Sequence, residues 1–475
     1  MKTLWDKQAL VAAIGGFVVG ELPETFSGIS IDSRTITEGD IFFCIKGHRF
    51  DGHDFALQAY ACGASALIVA EDRLADMEKI SAPLIVVCDV LHALEKLAQA
   101  ARQRSKAKII AITGSVGKTT TKEALKQALA NVGKVHANFA SFNNCWGVPL
   151  TLARMPAESD YGIFEIGMNH KDEIRPLVKL VQPHVVLITH ISAAHMGYFK
   201  NLEEIAEAKA EIFEGLVEEG IALLNADNDF FAYLVQRAKQ CGVKKIVSFG
   251  EAKGSDYQAK DICLLPDCSS MTVCMEEQDR VIKIGAPGRH IVQNSLAVFA
   301  VCDVIGIDVE AVLLSLSHFS LQKGRGAHYC LSLPSGEEFY LIDESYNANP
   351  ASMRAALDLL ATGPIGVEGR RIAVLGDMLE LGAYSEKFHR DLVKPICLSG
   401  ARLVFLFGEA MKFLVTDLSA HVKVYYAENV EKILPLIIAE ISGGDLLMIK
   451  SSNSLYSSDI VRALLDRYKV ISLSF

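Results

Sequence analysis

Apolar and polar residues alternate along this chain in two rhythms. Over residues 29–89, short β-rich runs at 40–45, 66–69 and 84–87 are separated by Gly-marked turns and one Ala-rich helical stretch. That is the pattern of a small α/β unit. A helical segment at 92–104 follows, and the polar Arg104-Ser105-Lys106 marks a first boundary. Beyond it, the runs at 109–112, 162–164, 185–188 and 222–224 are short and almost continuously apolar, as strands buried on both faces are. Helical patterns separate them, so a parallel sheet with right-handed crossovers is expected. The rhythm restarts after Lys323-Gly324-Arg325-Gly326, with strands at 339–343, 371–375, 403–407 and 446–449. The fold class read from this pattern is α/β in three domains. They are a small α/β N-terminal domain at 1–104, a central parallel-sheet domain at 105–322 and a C-terminal Rossmann-like domain at 323–475.

Composition agrees with that division, since 475 residues make three domains at about 150 residues each. Half the residues are hydrophobic and 22% are charged, with no low-complexity tract, so the whole chain is expected to fold. A net charge of -10 argues against a nucleic-acid partner, which needs clustered Lys and Arg. The eleven cysteines are scattered without a C-x-x-C pair and read as reduced, mostly buried thiols. The apolar stretch 9–20, after Lys2 and Lys7, has the look of a secretory signal core. Asp6, the break at Gly15-Gly16 and the lack of a small-x-small site before Glu21-Leu22-Pro23 favour a helix followed by a strand instead. No apolar run reaches the roughly 18 residues a membrane helix requires. A cytoplasmic protein without membrane insertion is the expectation.

The run Thr113-Gly114-Ser115-Val116-Gly117-Lys118-Thr119-Thr120 carries the most chemistry. It lies where a predicted strand, 108–113, turns into a predicted helix, 119–130, whose Leu125 and Leu129 share a face. Free N–H groups and the positive helix end favour phosphates there, and the two glycines allow close approach. Lys118 can reach the outer phosphates and Thr119 can place its hydroxyl on Mg²⁺, which makes MgATP the expected ligand of a P-loop-type central domain. Only Ser115 and Val116 stand between the first glycine and Gly117-Lys118-Thr119, where four residues are usual, so the loop is a shortened variant. Glu165 follows a strand and should emerge at the carboxyl end of the sheet. By position alone it reads equally as a Mg²⁺ ligand or an exposed strand-end glutamate. His195 and Lys209 alone read as a structural histidine and a surface lysine.

Together with Asn143-Asn144, Gly147-Val148-Pro149-Leu150, Glu165-Ile166-Gly167-Met168-Asn169, Ala194-His195 and Glu207-Ala208-Lys209, the phosphate loop resembles the Mur ligases, the ATP-dependent amide-forming enzymes of peptidoglycan synthesis. Ile342-Asp343-Glu344-Ser345-Tyr346-Asn347-Ala348-Asn349-Pro350 and Leu375-Gly376-Asp377-Met378-Leu379-Glu380-Leu381-Gly382 are similar to the branch that adds D-alanyl-D-alanine. The resemblance implies that Ser33 and Arg34 meet the pyrophosphate of a UDP-linked substrate. Without it, Asp32-Ser33-Arg34 reads as a capped turn with a surface ion pair. It further implies that Glu165 and His195 hold two magnesium ions and that Lys209 is a carbamate. His290 and Asn294 would lie near the nucleotide, Arg325 at the γ-phosphate and Asp343 at the ribose. Asn143, Asn144, Tyr346, Asn347 and Asn349 would meet substrate.

The implied partners are small molecules, UDP-N-acetylmuramoyl-tripeptide and D-alanyl-D-alanine, acted on by a monomer. A sister Mur enzyme, a folylpolyglutamate synthetase-like ligase and a slow ATP-hydrolysing regulator are the competing readings; the run Ser345 through Pro350 argues against the first two. The chain departs from the family pattern at Lys450-Ser451-Ser452, where Lys-Gly-Ser is usual, at Glu344, where a second Asp is common, and at His190, where Asn is common. If the loop binds MgATP as read, Lys118→Ala abolishes turnover while circular dichroism shows an intact fold. Near-normal product formation by that variant would refute the assignment.

Overall fold

The computed structural model describes residues 3–139, 141–275 and 278–472. Lys2 of the apolar N-terminal segment lies outside them. That segment forms the helix Lys7–Ile14, capped by Asp6 accepting from the Ala9 amide at 2.7 Å, and then the strand Phe17–Val19. No helix among the described residues is long and apolar enough to cross a membrane.

Three large sheets and a two-stranded antiparallel pair, Trp5–Asp6 with Thr25–Phe26, organise the described residues. The N-terminal sheet has five strands in the order Phe17–Val19, Leu84–Val87, Ala66–Ala70, Asp40–Phe43, Gly28–Ser30, parallel except for the first pair. The helix Val90–Arg104 leaves it with six residues buried on one stripe. The central sheet has nine strands, and Lys108–Thr113 lies between Tyr161–Glu165 and Val185–Ile188, parallel to both. Ile109, Ile110, Ala111 and Ile112 are each fully buried, which explains the unbroken apolar run. Fully burying an isoleucine contributes about 2 kcal/mol, so this strand is a firm base for the loop that leaves it.

The remaining strands of the central sheet differ from expectation. After Ile221–Asn225 and Lys245–Gly250, the strands Tyr257–Leu264, Ser269–Cys274 and Arg280–Ile284 extend it as an antiparallel meander. The central sheet is therefore mixed. Its signature is a two-residue alternation, with Met271, Val273, Ile282 and Ile284 inward and their neighbours outward.

The C-terminal sheet has seven strands in the order Lys423–Ala427, Ala401–Phe407, Arg371–Gly376, Leu446–Lys450, Glu338–Glu344, Ala327–Ser332, Lys469–Ser472. Five are parallel, and the last two are antiparallel additions at one edge. The carboxyl ends of Glu338–Glu344 and Leu446–Lys450 face the central sheet's crevice.

The cysteines correct a second expectation. All eleven are free thiols, but only Cys44, Cys302 and Cys330 are buried, while Cys62, Cys88, Cys145 and Cys263 are exposed. The exposed ones lie at element ends and in loops, such as Cys62 at the C-cap of the helix Ala56–Ala61, where no core is available to take them.

Candidate active site

The carboxyl ends of Lys108–Thr113, Tyr161–Glu165 and Val185–Ile188 open onto a cavity of 870 Å³ closed from the far side by the C-terminal domain. The helix Lys118–Ala130 begins here with Gly117 in the left-handed region, at φ 83°, and no side chain among the described residues caps its first turn. Its leading N–H groups are thereby left for an anion. The loop is tied to the neighbouring strand end: the Ser115 amide donates to the His190 carbonyl at 2.7 Å, its hydroxyl donates to the Ser192 carbonyl at 2.9 Å, and Thr189 donates to the Val116 carbonyl at 2.6 Å. A Cβ at Gly114 would lie 2.0 Å from Thr189 Oγ1, and at Gly117, whose left-handed backbone disfavours a side chain, it would lie 2.6 Å from Asn294 Oδ1 and displace that amide.

Lys118 is half-buried and its ammonium donates to the Gly114 carbonyl at 2.7 Å. Desolvation by the walls of the cleft lowers its pKa; Glu165 opposes that shift and Arg325 adds to it. Glu165 is buried, not the exposed strand-end residue that position alone allows. Its two oxygens accept from Thr119 Oγ1 at 2.8 Å and Asn143 Nδ2 at 2.7 Å, and its amide donates to Asn138 Oδ1 at 2.6 Å. Asn138 in turn accepts from the fully buried Lys122 Nζ at 2.9 Å through its carbonyl.

His195 and Lys209 also reach the cavity. His195 has a left-handed backbone, φ 57°, a conformation costing a non-glycine residue about 1 kcal/mol. Its Nδ1 lies 2.6 Å from Glu380 of the C-terminal domain, and this bond to His195 holds the Glu380 carboxyl below its ordinary range. Lys209 sits near the end of the helix Leu202–Ala210, which Asn201 caps by accepting from the Glu204 amide at 3.0 Å. It is only 2% exposed, far from the surface lysine that its sequence context suggests. Burial, and then the nearby charge of Lys118, push its amine well below the usual lysine range. Among the described residues no three His, Cys, Asp or Glu form a metal cage by themselves.

From the C-terminal domain, the Arg325 guanidinium stacks over the Tyr346 ring at 4.0 Å and donates to Ser141 Oγ at 3.3 Å; Tyr346 donates to the same oxygen at 2.7 Å. Asn347 and Asn349 line the cavity. Asn349 Oδ1 is already engaged as the N-cap of the helix Pro350–Thr362, accepting from the Ser352 amide at 2.9 Å. Asp343 does not line the cavity. It is buried and accepts from the Gly324 amide at 2.7 Å, the Ser345 amide at 3.1 Å and the Ser345 hydroxyl at 2.6 Å, so it holds the loops that carry Arg325 and Tyr346.

His290 and Asn294 line the opposite wall on the helix Arg289–Val304. Desolvation lowers the His290 pKa and favours the neutral ring. Beside them lies a polar group absent from the sequence reading. Gln293 Nε2 donates to Asp227 and Glu251 at 2.9 Å each, and Arg289 pairs with Glu251. Gln293 and Arg289 flank His290 in sequence, but Asp227 and Glu251 sit in loops that carry no recognisable motif.

The remaining candidates are placed elsewhere. Asn144 Oδ1 accepts from the Gly147 amide at 2.9 Å ahead of the helix Gly147–Ala153, and Asn144 does not line the cavity. Ser33 donates to Gln58 at 3.1 Å, and Arg34 makes a two-point pair with Asp32 at 2.9 and 2.7 Å in the N-terminal domain. The capped turn with a surface ion pair is therefore present as such.

The departures from the family pattern are accommodated. Ser451 has no left-handed backbone, so nothing there requires glycine, and its hydroxyl donates to Ser457 Oγ at 2.6 Å. Glu344 pairs with Lys450 at 3.0 Å. His190 Nδ1 lies 3.1 Å from the Asn228 amide nitrogen.

The profile of the Mur ligase family catalytic domain matches residues 25–104, that of the Mur ligase middle domain residues 112–302, and that of the Mur ligase glutamate ligase domain residues 334–453. The UDP-N-acetylmuramoyl-tripeptide--D-alanyl-D-alanine ligase of Rickettsia prowazekii is 35% identical over 96% of this chain and 99% of its own length. The enzyme of that name from Escherichia coli is 35% identical over 93% of this chain and 94% of its own. A crystal structure of MurF from Acinetobacter baumannii superposes with a TM-score of 0.83 at 30% identity, covering 97% of this chain and 99% of that one. The fold is shared also by MurF ligase from Thermotoga maritima, solved in complex with ADP, at a TM-score of 0.72 and 24% identity over 92% of this chain and 96% of that one.

Since the left-handed φ disfavours a side chain at Gly117 and a Cβ there would push the Asn294 amide aside, Gly117→Ala should weaken binding of an ATP analogue at least about tenfold, about 1.4 kcal/mol, by calorimetry. Unchanged affinity would mean that the loop does not hold the phosphates as built. With matches in all three domains and over nearly its full length, the chain belongs to the Mur ligase family, in the branch of the UDP-N-acetylmuramoyl-tripeptide--D-alanyl-D-alanine ligases.

Proposed function

We infer that this protein joins D-alanyl-D-alanine to UDP-N-acetylmuramoyl-tripeptide at the expense of ATP, giving the pentapeptide precursor, ADP and phosphate. The observation that carries the reading is the convergence of Lys118, Thr119, Glu165, His195 and Lys209 from the central domain with Arg325 and Tyr346 from the C-terminal domain on one cavity. The division at residues 1–104, 105–322 and 323–475, action as a monomer and a cytoplasmic location belong to the same reading.

The residues present fit ATP. Uncapped N–H groups at the start of Lys118–Ala130 and the Lys118 ammonium suit the phosphates, and Asn294 faces Gly117. Gln293 Oε1 is buried with no hydrogen-bond partner among the described residues and is an acceptor suited to an exocyclic amino group on the base. Thr119 and Glu165 offer hard oxygen donors 2.8 Å apart, the ligand type Mg²⁺ takes alongside phosphates. Thr119, Glu165, His195 and Lys209 would hold two ions, which when bound neutralise charge on the transferred phosphoryl group.

In the first step a substrate carboxylate oxygen attacks the γ-phosphorus, and the bond to the β-phosphate oxygen breaks to release ADP. Lys118 and Arg325 offset the negative charge that gathers on the phosphoryl oxygens. In the second step the neutral amine of D-alanyl-D-alanine attacks the acyl carbon, phosphate leaves, and the amine gives up a proton. No side chain forms a covalent bond with substrate. Docking of the C-terminal domain over the cleft keeps water from the acyl phosphate.

Lys209 is read as a carbamate. Its lowered pKa keeps the amine neutral at a pH where ordinary lysines are charged, and no carboxylate or carbonyl among the described residues pairs with it. A neutral amine adds carbon dioxide and loses a proton, and the product carries anionic oxygens that an ammonium lacks. Since only the neutral amine reacts, the modification should build up as pH rises through the depressed pKa and be lost on acidification. Incubation with ¹³C-bicarbonate at neutral pH should give a carbamate carbon signal by NMR that Lys209→Arg lacks; identical spectra would refute it.

The whole reading is tested by giving purified protein MgATP and UDP-N-acetylmuramoyl-tripeptide with and without D-alanyl-D-alanine. Acceptor-dependent ADP release with a new amide of the pentapeptide mass is expected. ADP release indifferent to the acceptor would leave a nucleotide-binding protein of another kind.

A further inference from the structure

The C-terminal domain meets the central domain at a seam that runs through one cavity residue. The Gly197 amide donates to the Glu380 carbonyl at 2.7 Å, and Tyr384 donates to the Lys200 carbonyl at 3.0 Å. A Cβ at Gly382 would lie 2.8 Å from the Gly197 Cα, so the backbones touch. Glu380, like His195, has a left-handed backbone, at φ 62°, and at that turn its Oε2 reaches His195 Nδ1 across the seam at 2.6 Å. An ionised carboxylate only accepts, so Nδ1 donates, and in the neutral ring this leaves the lone pair on Nε2, on a side chain that lines the cavity.

We propose that Glu380 is the positioning residue through which docking of the C-terminal domain sets the tautomer and orientation of His195 for a divalent cation. This rests on the reading of His195 as a metal ligand. Until the domain docks, His195 has no carboxylate on Nδ1, either ring nitrogen can carry the proton and the ring can turn. Docking brings the carboxylate that ligand histidines usually have on their other ring nitrogen, and completes the site only when the cleft is closed.

The experiment measures Mn²⁺ affinity by electron paramagnetic resonance, in the presence of a non-hydrolysable ATP analogue, for full-length wild type, Glu380→Ala, Glu380→Gln, His195→Ala and Tyr384→Phe. Glu380→Ala should bind Mn²⁺ about 10- to 100-fold more weakly, the range for removing a partner of a ligand histidine. Glu380→Gln, whose carbonyl oxygen still accepts from Nδ1, should recover most of the loss. It also stands in if the alanine variant fails to fold. Tyr384→Phe removes a seam contact without touching His195 and should leave Mn²⁺ affinity unchanged. If Glu380→Ala binds Mn²⁺ like wild type while His195→Ala does not, or if Tyr384→Phe weakens binding as much as Glu380→Ala, the proposal is overturned and the ligand reading of His195 stands. If His195→Ala also binds normally, both are overturned.

Discussion

A carboxylate buried in the cavity wall, that of Glu165, is the constraint on which the rest of the site depends. Moving an ion such as Glu165 out of water costs several kcal/mol after relaxation, and only a complete set of partners offsets it. Thr119 and Asn143 donate to its two oxygens, and Lys122 lies 3.9 Å away. Each partner has its own tether. Thr119 belongs to the helix that opens the phosphate site, Asn143 to a loop that Tyr346 touches through Ser141, and Lys122 to the next turn of that helix. The position of one carboxylate thereby sets the geometry of the phosphate loop and of the loop facing the C-terminal domain.

Two polar seams join the central and C-terminal domains, at Ser141 with Arg325 and Tyr346, and at His195 with Glu380. Both include hydrogen bonds made by residues that line the cavity. Interfaces of this kind separate at modest cost, which suits a cleft that must admit a bulky substrate and then exclude water.

The sequence was most legible where chemistry is local. The strand, glycine loop and helix around Lys118 can be read directly, because a strand buried on both faces has no polar residue to spare and a phosphate loop needs its glycines where backbone must approach an anion. The parallel strands of the C-terminal domain are equally plain. The antiparallel meander at 257–284 went unread because its two-residue alternation is short, and only the register against Lys245–Gly250 shows that it extends the central sheet. Asp343 is a clear motif residue, yet its carboxylate holds the loops carrying Arg325 and Tyr346 and does not face the cavity. Asp227, Glu251 and Lys122 had no signal at all, since each takes its place from a partner far away in the chain.

The sequence by itself determined the family, the three α/β domains and the phosphate loop, because these follow from periodicity and from residues adjacent in the chain. Only the tertiary structure decided which charged groups are dry and which are paired. Lys209 reads as an ordinary surface lysine and is buried, while Glu165 reads equally as an exposed strand-end glutamate or a ligand and is buried among donors. Glu380 is one residue of a motif until folding brings it 2.6 Å from His195, 185 positions earlier in the chain. Desolvation and pairing depend on everything that surrounds an atom in space, and that information is spread over the whole chain.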